Sequence, residues 1–318
     1  MSAGSAMSFT RFVAFSSFVI LICSATAAAP PGSVLLLTAD TEGHVGPCRT
    51  CPFHAGLGGL DRRATLLRAS RRDSEVLLLD AGNALFGDES VDSGGKVIVS
   101  AYAALGYDAL NLSWRDFRFG KDQTLALLGQ AKFPVLSANL LDSATGRLLT
   151  RAFAVTSIGG RKFAVVGVTE IPPGIDRLPH LKQELAGIRI RPPVEALAEW
   201  LPKAKAATEE VVLLYYGSAP TLRAIREKFP SDISLICIGG MSVDQIPADG
   251  SPLLVTAEEH GKSVAELDLS GGKSAVKRTK TQHLVEPSLV PDGSMQQVLA
   301  AFSKPAESPA PQRSPSHP

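Results

Sequence analysis

Val34-Leu35-Leu36-Leu37-Thr38-Ala39-Asp40-Thr41-Glu42-Gly43-His44 sets the architecture of this chain. A continuous apolar run suits a strand buried on both faces, and this one leads directly into acidic residues and a histidine. In open α/β sheets, ligands gather where strands run out into loops. The pattern recurs downstream. Val76 to Asp80 leads into Ala81-Gly82-Asn83, and Ala109 to Leu112 leads into Ser113-Trp114-Arg115-Asp116-Phe117. Further strands are expected at Val135 to Ala138, Phe163 to Val168, Val211 to Tyr215 and Ile233 to Ile238. Between them lie apolar residues at helical spacing: Leu60, Ala64 and Leu67; Val97, Ala101 and Leu105; Val194, Leu197 and Leu201; Leu222, Ile225 and Phe229. Strands alternating with amphipathic helices predict a largely parallel, doubly covered sheet. Ala152 to Ile158 and Val264 to Leu269 alternate like antiparallel strands, so a mixed α/β architecture follows.

Outward from this core, both ends read differently. Arg11, the apolar run Phe12 to Ile22 with Cys23, and Ala25-Thr26-Ala27 form the three regions of a signal peptide, assigned to residues 1–29. The run is shorter than the ~20 residues of a spanning helix, so no membrane span is expected after cleavage. A periplasmic or secreted protein follows. From Lys304 onward Pro and Ser dominate without apolar periodicity, which reads as a disordered tail over 304–318. The intervening residues 30–303 are enough for one large domain. The chain has 318 residues and a formal net charge of +1, with both signs interspersed, so no nucleic-acid footprint is present.

Several motifs in order now carry a resemblance. They are Gly58-Gly59-Leu60-Asp61-Arg62-Arg63, Leu77-Leu78-Leu79-Asp80-Ala81-Gly82, Ala104-Leu105-Gly106-Tyr107-Asp108-Ala109, Phe133-Pro134-Val135-Leu136-Ser137-Ala138-Asn139 and Val166-Gly167-Val168-Thr169. From about Val34 to Leu269 the chain resembles the calcineurin-like metallophosphoesterase domain of the secreted 5′-nucleotidase family. The resemblance implies a four-layer sandwich of two mixed sheets flanked by helices. It also implies two divalent metals, held in that family by Asp-x-His, Gly-Asp, Gly-Asn-His-Asp/Glu, a lone His and Gly-His-x-His.

Position by position, the implied ligand set is degenerate. Asp40 matches the first aspartate, and Glu42 stands at the first histidine. Asn83 replaces the aspartate that bridges the metals. Trp114 replaces the ligand asparagine, and Arg115 the histidine that assists the leaving group, with Asp116 in the acidic place after it. Tyr216 falls at the lone histidine, and Met241 and Val243 at the last two. A divalent cation gives up strong hydration and needs several charged or strongly donating ligands in return. Trp114 and Val243 cannot coordinate, a thioether suits Mn, Zn or Mg poorly, and Asn83 removes the bridging charge. Asp40 and Glu42 then read as solvated loop carboxylates, or, with Asn83, as ligands of a single divalent cation.

One new concentration of chemistry lies beside them. His44, Cys48, Cys51 and His54 fall within one short loop, a combination open to a zinc site, a redox dithiol or a local disulfide. His180, His260, His283 and His317 match no ligand position and read as surface residues. Three functions stay open. The first is an exported phosphoesterase-like protein that acts by binding a small phosphate-containing ligand or a protein partner, with Arg115 and Arg118 as anion contacts. The second is a weak, altered metal-dependent phosphoesterase. The third is a metal- or redox-handling accessory protein built on Cys48 and Cys51.

Overall fold

The structure, a computed structural model, describes Met1 and residues 32–49, 56–247, 250–258, 260–269 and 280–303. The expected signal peptide (1–29), the expected tail (304–318), Cys51 and His54 lie outside the described residues.

The strands are β1 (Gly32–Thr38), β2 (Ser74–Asp80), β3 (Ala109–Asn111), β4 (Val135–Leu136), β5 (Leu140–Asp142), β6 (Phe153–Ile158), β7 (Arg161–Thr169), β8 (Ile188–Ile190), β9 (Glu210–Tyr216), β10 (Leu235–Gly239), β11 (Leu253–Thr256), β12 (Ser263–Asp268) and β13 (Lys280–Leu284). The helices are α1 (Leu60–Asp73), α2 (Lys96–Leu105), α3 (Lys121–Leu128), α4 (Pro179–Glu184), α5 (Pro193–Ala207), α6 (Ala219–Lys228) and α7 (Gly293–Ala300). They build a mixed six-stranded sheet, β13-β12-β1-β2-β3-β4, and a mixed five-stranded sheet, β11-β10-β9-β7-β6. In the first, β1 to β4 run parallel, while β12 is antiparallel to both β1 and β13. In the second, only β6 runs against its neighbour.

The apolar run in β1 is continuous because each face meets a different core. Leu35 and Leu37 pack between the two sheets with Leu77, Leu79, Val212, Leu214 and Cys237. Val34 and Leu36 face the other way, into a cluster with Leu60 and Leu67 of α1 and Val97, Ala101 and Leu105 of α2. The second sheet's outer face is closed by Leu197 and Leu201 of α5 and Leu222 and Ile225 of α6. The layers are therefore helix, sheet, sheet, helix. β12 is more buried than its alternation suggests, since Val264 joins the helix-side cluster while Ala265 and Leu267 join the inter-sheet core. No helix among the described residues is long and apolar enough to cross a membrane.

The parallel strands β1, β2, β9 and β10 end on residues that share one edge. Thr38 pairs with Asp80 in register, and Tyr216 with Gly239. The loops that follow, carrying Asp40, Asn83 and Gly240, are thereby brought together.

Candidate functional site

The loops after β1 and β2 are stitched backbone to backbone. Asp40 N–H donates to Gly82 O (3.0 Å), Glu42 N–H to Asn83 O (2.8 Å) and Gly43 N–H to Ala84 O (2.9 Å). The contact is too close for any side chain at Gly87, where a Cβ would fall 1.8 Å from the Glu42 carbonyl oxygen. Asp40, Glu42, Asn83 and His260 all hold positive φ, at 47°, 50°, 58° and 58°. Non-glycine residues uncommonly adopt that conformation, Asp, Asn and His most readily, and four instances are gathered at this one place.

Asp116 fixes this arrangement from beneath. It is fully buried, and its carboxylate accepts the N–H groups of Asn83 (3.2 Å), Ala84 (3.0 Å), Leu85 (3.0 Å) and Ser113 (2.9 Å) and the Ser113 hydroxyl (2.7 Å). Burial pushes the carboxyl above the usual range, and these donors pull it back. Asp116 is thus a positioning residue, its oxygens committed to the loop backbone and the Ser113 hydroxyl.

Asn83, Asp40 and Glu42 do come together, but through protons. The Asn83 amide Nδ2 donates to Asp40 Oδ1 (2.8 Å) and to Glu42 Oε1 (2.9 Å). Asp40 Oδ1 also accepts the Tyr216 hydroxyl (3.0 Å), and Asp40 Oδ2 accepts Gly240 N–H (2.8 Å). Asp40 is only 9% exposed, so it is not a solvated loop carboxylate. Burial pushes its carboxyl pKa above the ordinary carboxylate value, opposed by the bonds from Gly240, Asn83 and Tyr216. The Tyr216 phenol is held well above its usual value by burial and by Asp40, so it remains a donor.

This donor set does not fit the family's metal pair. Asn83 presents its amide hydrogens, not its oxygen, to both carboxylates. Tyr216 aims an O–H at Asp40 from the lone-histidine position. Trp114 offers only an indole N–H, and Arg115 brings a fixed positive charge. The Asn83 amide hydrogens supply positive character between Asp40 and Glu42, and the Tyr216 hydroxyl adds to it at Asp40 alone. The three residues expected to hold a single cation, Asp40, Glu42 and Asn83, are joined here by the Asn83 amide hydrogens. Met241 is partly buried against the outer core of the second sheet rather than in this network.

Trp114 and Tyr216 are buried together with Leu181. Beside them lie two cavities, of about 590 and 420 Å3, and both are lined by Glu42 and Arg115. Arg115 stacks its guanidinium 5.0 Å from the Trp114 ring centroid, and Arg118 joins it on the wall of the larger cavity. Among the described residues neither arginine forms an ion pair, and the Trp114 indole N–H is buried without an acceptor.

Of the four loop residues, His44 and Cys48 are among those described. Cys48 is buried, and its backbone pairs with Gly56 and Leu57. Cys51 and His54 are outside the described residues. His44 turns instead toward His260, with ring centroids 4.8 Å apart and tilted by 51°. His260 Nε2 lies 3.0 Å from Glu42 Oε2. This corrects the expectation that His260 is a plain surface residue. The missed signal is topological: antiparallel pairing of β12 with β1 places the turn before β12 against the loop after β1, where His260 N–H donates to Asp40 O (2.6 Å). Burial and the neighbouring His260 hold the His44 imidazole below its usual value.

No family model matches the chain. A 5′-nucleotidase of Vibrio cholerae is 35% identical over 121 residues, covering 35% of this chain and 21% of that protein. The sulfate thiohydrolase SoxB of Thermus thermophilus superposes with a TM-score of 0.72 at 19% identity, covering 87% of this chain and 61% of that one. A 5′-nucleotidase precursor, also from Thermus thermophilus, gives 0.69 at 22% identity, covering 85% and 58%. The matched stretch thus spans about a fifth of the curated relative's length, 21%. The two-sheet architecture is that of metallo-dependent phosphatases.

Proposed function

We propose that this chain, which carries a metallophosphoesterase domain of the 5′-nucleotidase family, has exchanged dinuclear metal catalysis for direct binding of a small phosphate-containing ligand. The observation that carries this reading is the proton-bridged set Asp40–Asn83–Glu42 with Tyr216, residues that the sequence resemblance aligns with the family's metal positions. An activated hydroxide needs a metal to lower the pKa of its water, and this network has no place for a bridged pair. Binding without metals needs other donors. Arg115 and Arg118 line the larger cavity, with Arg115 held over the Trp114 ring, and guanidinium groups match phosphate oxygens in fork geometry. The segment 1–29, read as a signal peptide, puts this activity in the periplasm or outside the cell.

The test is calorimetry with inorganic phosphate and adenosine monophosphate in the presence of EDTA. Binding of at least one is expected under these conditions. Arg115→Ala and Arg118→Ala are each expected to weaken it about tenfold or more, the loss of one charge-assisted contact. Binding that requires added divalent ions, or that neither variant changes, would overturn the reading.

A further inference from the structure

We infer that Glu42, His44 and His260 form a binding site for a single borderline first-row divalent cation such as zinc, displaced from the family's metal positions. Two of these three residues have no counterpart in the expected ligand motifs. One ligand atom from each lies within 4.8 Å of the others, and the Glu42–His260 pair is already at 3.0 Å. Around zinc with bonds of about 2.0–2.1 Å, tetrahedral ligand atoms stand roughly 3.4 Å apart. Side-chain shifts of roughly an ångström would bring the set to that spacing. Two imidazoles and one carboxylate favour zinc and its first-row neighbours over magnesium or calcium, which prefer oxygen throughout.

The surroundings prepare the three side chains. Asn83 donates to Glu42 Oε1 and leaves Oε2 turned toward His260, the outer-sphere orientation that metal-ligand carboxylates need. Glu42 and His260 both hold positive φ, an uncommon conformation for non-glycine residues. The His44 loop is pinned on its other side by Glu89, whose carboxylate accepts the N–H groups of Val45 and Gly46 at 2.6 Å. Glu42 and His44 also line the larger cavity, so an ion held here stands beside the anion contacts while depending on none of them.

Zinc titration of the full chain, followed by calorimetry and by metal analysis after dialysis, tests the site independently of phosphate binding. One zinc per chain is expected, with a melting temperature that rises with zinc concentration. His44→Ala and His260→Ala are each expected to weaken zinc by about 100-fold or more. His260→Gln, which keeps size and polarity, should fold normally and show no zinc-dependent melting shift. Cys48→Ser should bind zinc as the parent does. No zinc binding, or zinc lost in Cys48→Ser but retained in both His260 variants, would overturn the assignment and return the metal to the cysteine loop.

Discussion

Asp116→Ala is expected to destabilise the protein by at least about 4 kcal/mol. The carboxylate it removes is the acceptor for four backbone N–H groups and one hydroxyl, all from Asn83, Ala84, Leu85 and Ser113. A buried donor left without a partner costs about 1–3 kcal/mol, and the vacated space is too enclosed for water to satisfy every one. Asp116→Asn should recover only part of the loss, because its amide would direct hydrogens at backbone donors. The effect should also reach the site, since the residues released carry Asn83 and support the Glu42 backbone. Urea unfolding of the two variants against the parent measures it. A loss under about 1 kcal/mol for Asp116→Ala would show that the loop is anchored elsewhere.

Arg63→Met is expected to cost about 3–5 kcal/mol, the range for removing one partner from a buried charged network. Arg63 is 1% exposed and donates to the Thr41 hydroxyl and to Tyr107. Thr41 also accepts from Tyr102, which in turn reaches Asp80, and Thr38 connects Asp80 to Tyr107. Burial pushes the Asp80 carboxyl up to about 7, partly offset by its hydrogen bonds and by Arg63, while Arg63 itself stays protonated. The sign of the pH dependence follows. Between the unfolded value of about 4 and the folded value, the native state holds a proton that the unfolded chain has released, so stability falls as pH rises through that window. Removing Arg63 takes a positive charge from beside the ionised form, so the deficit of Arg63→Met should be larger at pH 8 than at pH 5. Unfolding curves at the two pH values test this, and an equal deficit at both would contradict the coupling.

The architecture was largely legible because continuous apolar runs such as Val34 to Leu37 are required when both faces of a strand are buried. The elements that sequence reading passed over lack that mark. β13 is an edge strand whose Lys280, Thr281 and Gln282 are exposed, and β5 and β8 form a three-residue pair at the rim. At the site, the motif spacing singled out Asp40, Glu42 and Asn83, and the structure brings them together because strand register carries their loops to one edge. Three things were not legible there. The hydrogen-bond network around Asp40 is completed by Tyr216 and Gly240, which arrive from the other sheet. The work of Asp116 is done with backbone groups, which leave no side-chain pattern. His260 reaches His44 only through the antiparallel return of β12.

Metal stoichiometry with turnover is the most direct measurement of the central claim, that hydrogen bonds have replaced the dinuclear centre. The full chain would be equilibrated with manganese and, separately, with zinc, freed of excess metal, analysed for bound ions and assayed for phosphate release from adenosine monophosphate. No more than one ion per chain and no metal-dependent release are expected. Two ions per chain with sustained release of phosphate would contradict it.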